Sequence, residues 1–560
     1  MSGKTPGAQS FQNLPKQQLI WTVIGLQLTL LLAALDGTIV GTAMPSIIGQ
    51  LQGFDRYAWV TTAYMLTSTI GVPIFGKLSD LYGRKMIFLG GAVGFVIASA
   101  LCGAAGDLPL PIDGMNQLIV FRGLQGLASG VIMGLTFTVV GDLFPPAERG
   151  KYQGLFAAVW GLSSVFGPTL GGWLTDSISW RWVFYVNLPV GILAVTVLWF
   201  AFPNIKPQGA RRAIDWLGVS TLIACLVPLL LALTWVTDYG WTSSRVLGLL
   251  ALSAVMLAAF IYAESRAAEP LMPLSLFKNP IVTVSSVSLL ITGLGMFGAI
   301  LFLPLFMQSV IGVSATRSGS LLTPMMLMVS FGSVASGQIV SRLGRYKALA
   351  IFGMAVMAGG MALMAGMGTD TTQAITVRNM IIVGAGLGLV MPLYTLIVQN
   401  AVPQSQLGVA TAATQFFRSI GGTLGAAIFG SIMLSRYRAS FDAGVPQGVP
   451  ANVLEPFRNP LQLAQIRPQL EAAFAQIPNG QVLLGQLFLN VRDSLVHALN
   501  GVFIIAAIVV ATAGLLNFAL REIPLRKSFE GAHGTAKPAE PTAEQPAPIP
   551  VLAGVGEGDD

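Results

Sequence analysis

Long apolar segments alternate with short polar ones along almost the whole chain. Fourteen segments have about 17 to 25 mainly apolar residues, close to the 20 or so that an α-helix needs to cross a bilayer. Glycine, proline and charged residues occupy most of the connections, as is typical of loops. The pattern predicts an all-α integral membrane protein. Its fourteen transmembrane helices are expected to begin near Ile20, Tyr57, Met86, Asn116, Gly150, Trp182, Ile214, Val246, Val282, Gly319, Lys347, Arg378, Leu407 and Val496.

Composition agrees with a membrane protein. Of the 560 residues, 54% are hydrophobic and only 10% are charged, whereas soluble domains carry about 25% charged residues. A soluble enzyme is therefore disfavoured, and no catalytic constellation is apparent. The sequence contains no GxxxxGK[ST] phosphate-binding loop, which argues against ATP-driven activity. Two histidines and two isolated cysteines, Cys102 and Cys225, do not form a ligand cluster, so neither a metal site nor a cofactor is predicted.

The basic residues predict the orientation of the chain. Its formal net charge is +7. With the N-terminus inside, the N-terminal tail and the short inner loops hold fifteen basic residues and the short outer loops hold five, as the positive-inside rule requires. We therefore expect a multi-pass protein of the inner (plasma) membrane with both termini in the cytoplasm. Because orientation accounts for the excess charge, nucleic acid is not an expected partner.

An internal repeat predicts two similarly built halves. Gly76-Lys-Leu-Ser-Asp80-Leu-Tyr-Gly83-Arg84 between helices 2 and 3 matches Gly337-Gln-Ile-Val-Ser341-Arg-Leu-Gly344-Arg345 between helices 10 and 11. The expected units are an N-terminal tail (1–18), a six-helix bundle (19–203), two inserted helices with their loops (204–280), a second six-helix bundle (281–521) with a long outer segment (436–494), and a tail (522–560).

Two segments depart from the transmembrane pattern. Within the outer segment, Gln481–Leu495 has helical apolar spacing and is expected to lie on the membrane surface before the last span. Residues 522–560 are rich in alanine, proline, glutamate and glycine, and this composition predicts a disordered cytoplasmic tail.

Asp36 in helix 1 is the one acidic residue that the pattern places deep inside a span. A charged side chain at the centre of a membrane helix costs at least about 2.5 kcal/mol, so Asp36 should have a partner or a proton. Arg122 in helix 4 is the expected partner, because a rise of about 1.5 Å per residue puts both side chains at similar depth. Movement that separates or wets such a pair changes its proton occupancy. A static structural ion pair is the alternative.

Two further stretches suggest conformational roles. In the loop after helix 2, Gly76 and Gly83 permit a tight turn and close helix approach, while Asp80 can accept hydrogen bonds from Arg84 or face a helix N-terminus. This loop is either a latch for one conformation or a purely topological basic loop. Helix 5 has small residues and a proline at spacings that allow close packing and bending, or packing alone: Gly161, Gly167, Pro168, Gly171 and Gly172.

Together these stretches resemble the major facilitator superfamily, and specifically its fourteen-helix drug:proton antiporter subfamily. The segment from Leu35 to Pro45 resembles the helix 1 motif of the subfamily, although Gly41 stands where the family usually has asparagine. The segment from Leu118 to Gly126 resembles the helix 4 motif, and the one from Gly161 to Gly172 the antiporter motif of helix 5. Further support comes from Trp180-Arg181-Trp182, Ile214-Asp215-Trp216 and Phe417-Arg418-Ser-Ile-Gly421-Gly422.

The resemblance implies a proton-driven antiporter that exports lipophilic or cationic drugs by alternating access, with the proton gradient in place of a cofactor. In this interpretation Asp36 binds the proton and Arg122 adjusts the proton affinity of Asp36. Helix 5 flexes, and the loop with Asp80 and Arg84 acts as the latch. The expected partners are small lipophilic substrates, protons and the lipid bilayer; a periplasmic adaptor is unassigned. A dedicated exporter of one natural product, lipid or metabolite is the alternative, followed by a non-transporting membrane sensor.

Candidate cavity residues are Thr38, Gln125, Met325 and Arg418. Met325 belongs to a methionine cluster on helix 10, which suits varied lipophilic cargo but is equally compatible with packing. Arg418 lies near mid-membrane with no carboxylate in its own half. It is expected to line the cavity, to hydrogen-bond backbone carbonyls, or to compete with Arg122 for Asp36.

Overall fold

The computed structural model describes residues 14–51, 56–204, 215–313, 315–445, 454–458, 460–475 and 480–526. Each predicted span coincides with one long helix, and the described residues form no β-strand. The helices that coincide with the predicted spans are α1 (Lys16–Leu51), α2 (Tyr57–Tyr82), α3 (Arg84–Gly103), α4 (Gly114–Leu143), α5 (Pro146–Ser177), α6 (Trp182–Ala201), α7 (Trp216–Tyr239), α8 (Ser244–Arg266), α9 (Pro280–Ile300), α10 (Ala315–Leu343), α11 (Lys347–Ala365), α12 (Gln373–Ala401), α13 (Leu407–Ala443) and α14 (Gly480–Leu516). The shorter α-helices Leu303–Ser309 and Pro460–Phe474 lie in the connections.

The helices pack as two bundles, α1–α6 and α9–α14. One apolar core extends from Ile281 to Leu525 and belongs to the second bundle alone, while smaller cores fill the first bundle. The inserted helices lie beside the boundary between the bundles, where Leu222 of α7 packs with Ile70 of α2 and Phe416 of α13. They therefore cover the α2–α13 side of that boundary.

The repeated loops adopt the same backbone turn in both halves. Gly83 has φ 97° and Gly344 has φ 68°, and this left-handed region is open to glycine at little cost. Both glycines lie at the same end of the molecule, together with the α4–α5 and α12–α13 connections. We call this end, which carries most of the loop lysines and arginines, the basic end.

The outer segment differs from the sequence expectation. Gln481–Leu495 is not a surface helix but the continuous first half of α14. Its apolar stripe, which includes Leu484 and Leu487, is buried against Tyr437 and Phe441 of a correspondingly long α13. The expectation was wrong because helical apolar spacing shows that a face is covered, not whether lipid or protein covers it.

The chain remains attached to the bundle beyond the last helix. Tyr346 accepts a hydrogen bond from the N–H of Ile523 (2.9 Å) and donates one to the carbonyl of Arg521 (3.1 Å). Burial raises the pKa of Tyr346, so its hydroxyl keeps the proton that it donates. Asn400 binds the carbonyl of Pro524 and the N–H of Arg526. Disorder expected from residue 522 therefore does not begin before residue 527, and residues 527–560 of the predicted tail lie outside the described residues.

Candidate functional site

Asp36 lies in a closed polar cluster between α1, α4 and α6. Its side chain is 0% exposed, and its Oδ2 accepts a hydrogen bond from Nη1 of Arg122 at 2.5 Å. Its Oδ1 accepts from the amides of Gln125 at 2.8 Å and Asn187 at 3.3 Å. The carboxylate thus has three donors in a site with low exposure to solvent, where charge-assisted hydrogen bonds are strong.

Arg122 is held by α2 as well as by Asp36. Its guanidinium lies 4.1 Å from the ring centroid of Tyr64 and donates to the carbonyl of Val60. α2 can approach this closely because Gly126 and Gly130 of α4 have no side chain: a methyl group at either would meet α2 backbone atoms well inside contact distance. Glycines in membrane helices commonly serve this purpose.

A second layer of polar groups orients the amides around Asp36. Ser99 of α3 accepts hydrogen bonds from Gln125 (3.1 Å) and Asn187 (2.9 Å) and donates to the carbonyl of Phe184 (3.0 Å). The sequence placed Gln125 in the cavity, whereas the structure puts it in the Asp36 cluster. Asn187 was missed as a partner, because 151 positions separate it from Asp36 and no sequence signal connects the two.

The glycines of α5 form two separate contact surfaces. Towards the end opposite the basic end, Gly167 and Gly171 face Thr38 and Ile39 of α1. Thr38 also donates to the carbonyl of Ser163 at 3.1 Å. Thr38, another predicted cavity residue, therefore lies in the α1–α5 contact only two residues from Asp36.

The second surface of α5 packs against α10 near the basic end. A methyl group at Gly150 would lie 2.8 Å from the carbonyl oxygen of Gly337, and one at Gly161 would lie 2.9 Å from that of Met326. Farther from the basic end, a methyl group at Gly172 would have no neighbouring atom within 4 Å. The two bundles therefore touch along the first half of α5. Pro168 lies within the helix beyond this contact.

The repeated loop of the first half contacts both bundles. Arg84 pairs with Asp80 and donates to Asp142 at 2.8 Å. The carboxylate of Asp80 lies directly against Gly408 at the start of α13, where the helix dipole favours a negative charge. Gln404 of the second half donates to Asp142 at 2.9 Å. Asp142 and Gln404 were not identified from the sequence.

The remaining predicted residues have different surroundings. A methyl group at Gly76 would lie 2.7 Å from Cβ of Ala412, so this glycine permits the α2–α13 contact. Met325 is fully buried in the apolar core of the second bundle. Arg418 donates to Gln415 at 2.6 Å and does not contact Asp36.

Comparison with known proteins establishes the family. The model of the Major Facilitator Superfamily matches residues 26–426. The chain belongs to this superfamily. It is 41% identical to the multidrug transporter protein MdtP of Bacillus subtilis over 523 residues, covering 90% of this chain and 93% of that protein. It is 36% identical to multidrug resistance protein 3 of Bacillus subtilis, with 88% and 94% coverage.

Solved structures support the same fold. The proton:xylose symporter XylE superposes with a TM-score of 0.58 over 92% of this chain and 98% of that chain, at 13% sequence identity. The chain is therefore a multi-pass membrane transporter with the major facilitator fold and not an enzyme. The roles expected for Asp36, Arg122 and the latch loop stay predictions.

Proposed function

We propose that the protein is a proton-driven antiporter that exports lipophilic compounds, cationic drugs among them, across the inner membrane by alternating access. The observation that carries the proposal is the fully buried Asp36, paired with Arg122 and ringed by amide donors. Packing between helices does not require a carboxylate inside a membrane span, where a charged side chain is costly. The similarity to two multidrug transporters supports drug-like cargo.

In the proposed cycle, protonation of Asp36 removes its charge and weakens its bond to Arg122. The altered interaction of Asp36 shifts α1, and α1 contacts α5 at Thr38, two residues from Asp36 on the opposite face of the helix. α5 also touches α10 at Gly150 and Gly154, so a tilt of α5 would alter the contact between the bundles. The loop with Asp80 and Arg84 stabilises the arrangement in which the basic end is closed.

The test uses purified protein in proteoliposomes with an imposed proton gradient and a panel of cationic and neutral dyes. Asp36→Asn should abolish gradient-driven dye movement, because the amide cannot carry the proton. Asp370→Asn, which alters an exposed carboxylate between α11 and α12, is the matched control and should transport normally. Undiminished uphill transport by Asp36→Asn would remove Asp36 from the coupling role. Transport of a single compound from a broad panel would favour a dedicated exporter.

A further inference from the structure

Arg418 is a partly buried cation whose hydrogen-bonding capacity is largely unused. Its Nη2 donates to Oε1 of Gln415, while its Nε is buried and has no partner. No carboxylate among the described residues pairs with it. It lies eleven residues into α13, about 16 Å from the start of the helix, which is near the middle of a bilayer. A charge at this depth without a counter-ion is expensive and is generally kept for a function.

The packing of α13 shows where Arg418 lies relative to its neighbours. Gly421 and Gly425 press against the carbonyls of Leu290 and Leu294 in α9. The same pattern occurs in the first half, where Gly167-Pro-Thr-Leu-Gly171 packs on α1; its counterpart here is Gly421-Gly-Thr-Leu-Gly425. α5 and α13 are thus equivalent helices, and both border the space between the bundles.

The contact between α9 and α13 puts Ser286 of α9 at about the level of Arg418. Ser286 lies one helical turn before Leu290, and Arg418 lies three residues before Gly421. Helical side chains tilt towards the helix N-terminus, so the guanidinium leans towards the turn that holds Ser286. The hydroxyls of Ser285 and Ser286 are buried and, like Nε of Arg418, have no hydrogen-bond partner. Buried polar groups are rarely left in this condition, so each such case calls for an explanation.

The two halves differ in how they neutralise their intramembrane arginines. Arg122 in the first half is paired with Asp36, whereas Arg418 has only a neutral amide. We propose that Arg418, with Gln415 and Ser286, binds the anionic oxygen of a lipophilic acid, so that the cargo itself supplies the missing counter-ion. A guanidinium suits this task because it donates to both oxygens of a carboxylate at once. This inference rests on the proposed transport function and adds lipophilic carboxylic acids to its cargo.

The test compares two probes that differ only in charge: 1-pyrenebutyric acid and its neutral methylamide. Binding to the purified full-length protein is measured by quenching of tryptophan fluorescence. Arg418→Gln should weaken binding of the acid at least tenfold and leave binding of the amide unchanged. The affinity of Arg418→Lys for the acid should lie between those of the original protein and Arg418→Gln, because lysine keeps the charge but not the planar guanidinium. Arg438→Gln, which removes an exposed arginine from the far end of the same helix, is the control and should bind both probes as the original protein does.

Equal losses for acid and amide, or no loss for either, would overturn the proposal. If Arg418→Gln fails to fold, Arg418→Lys decides, since full retention of acid binding and selectivity by lysine would contradict bidentate recognition. Gradient-driven transport of a neutral dye by the original protein is measured in parallel. Its presence shows that the exporter function stands whatever the result for the acid, and its absence would count against the proposed function alone.

Discussion

Gly337→Ala tests whether the α5–α10 contact holds the basic end closed. A methyl group at Gly337 would lie well under 3.0 Å from the carbonyl oxygen of Gly150 and would also approach the nitrogen of Lys151 at 3.1 Å. Both obstacles are backbone atoms, which cannot rotate away as a flexible side chain can. The helices must separate by about 1 Å or more to restore ordinary contact. Overpacking of this kind costs about 1–3 kcal/mol, and in the proposed cycle the cost would fall only on the closed arrangement.

A penalty of that size shifts a two-state equilibrium by about 5- to 150-fold towards opening of the basic end. The assay uses Ala412→Cys, a buried position that faces Gly76 across the α2–α13 contact. The two native cysteines, both buried, are replaced by alanine. A maleimide should label Cys at position 412 faster in the Gly337→Ala background, because opening the basic end exposes that position.

Gly319→Ala and Gly172→Ala are the matched controls. Each makes the same chemical change, on α10 or on α5, at a position with nothing within 4 Å. Any gain in helix propensity from alanine is therefore shared with Gly337→Ala. The reasoning is refuted if folded Gly337→Ala protein is labelled at the original rate, or if either control accelerates labelling as much.

Two other predictions concern stability. Tyr346→Phe removes two hydrogen bonds to the C-terminal segment, so we expect the free energy of unfolding to fall by about 1–2 kcal/mol and proteolysis after Leu520 to become faster. Tyr262→Phe, which alters an exposed ring, is the control and should change neither quantity. Hydrogen bonds from Arg181 lower the pKa of Asp107. This pair therefore stabilises the fold at pH values above the ordinary aspartate pKa of about 3.9, and the stabilisation is lost as the pH falls through the lowered pKa. The thermal midpoint should therefore be lower for Asp107→Asn than for the original protein at pH 6, and the difference should shrink as the pH falls below about 3.9. A difference that stays constant into acid would contradict this assignment.

The transmembrane helices were predictable because the bilayer imposes both their length and their composition. The contact between Asp36 and Arg122 followed from depth, since a deeply placed carboxylate has few possible partners and helical rise limits them further. Its other partners were not predictable in this way. Asn187 begins the main part of α6, and only the packing of α1 against α6 brings its amide to Asp36.

The prediction that the disordered tail begins at residue 522 was wrong for a related reason. Residues 522–560 are on average polar and rich in proline, and that average hides the few residues that bind the bundle. Glu522 accepts a hydrogen bond from the N–H of Tyr346 at 2.9 Å, and Leu525 is buried in the apolar core. These contacts depend on surfaces formed by α10–α12, and the sequence of the tail does not reveal them.

The two copies of the repeated loop have acquired different contacts that act on the same end of the molecule. In the first half, Asp80 reaches across to Gly408 of the second bundle. In the second half, Ser341 replaces that aspartate, and the neighbouring Tyr346 instead binds the C-terminal segment. That segment crosses back, since the carbonyl of Arg526 accepts a hydrogen bond from the N–H of Ala147 in the first bundle.

Both connections would have to break, along with the α5–α10 contact, for the basic end to open. α5 takes part in two of these three contacts, since Ala147 lies in its first turn and Gly150 touches α10, and its Gly167 also touches α1 near Asp36. In the proposed cycle, α5 would therefore transmit a change in the charge of Asp36 from α1 to the basic end. The glycines of α5 accordingly lie on two faces of the helix, one against α1 and one against α10.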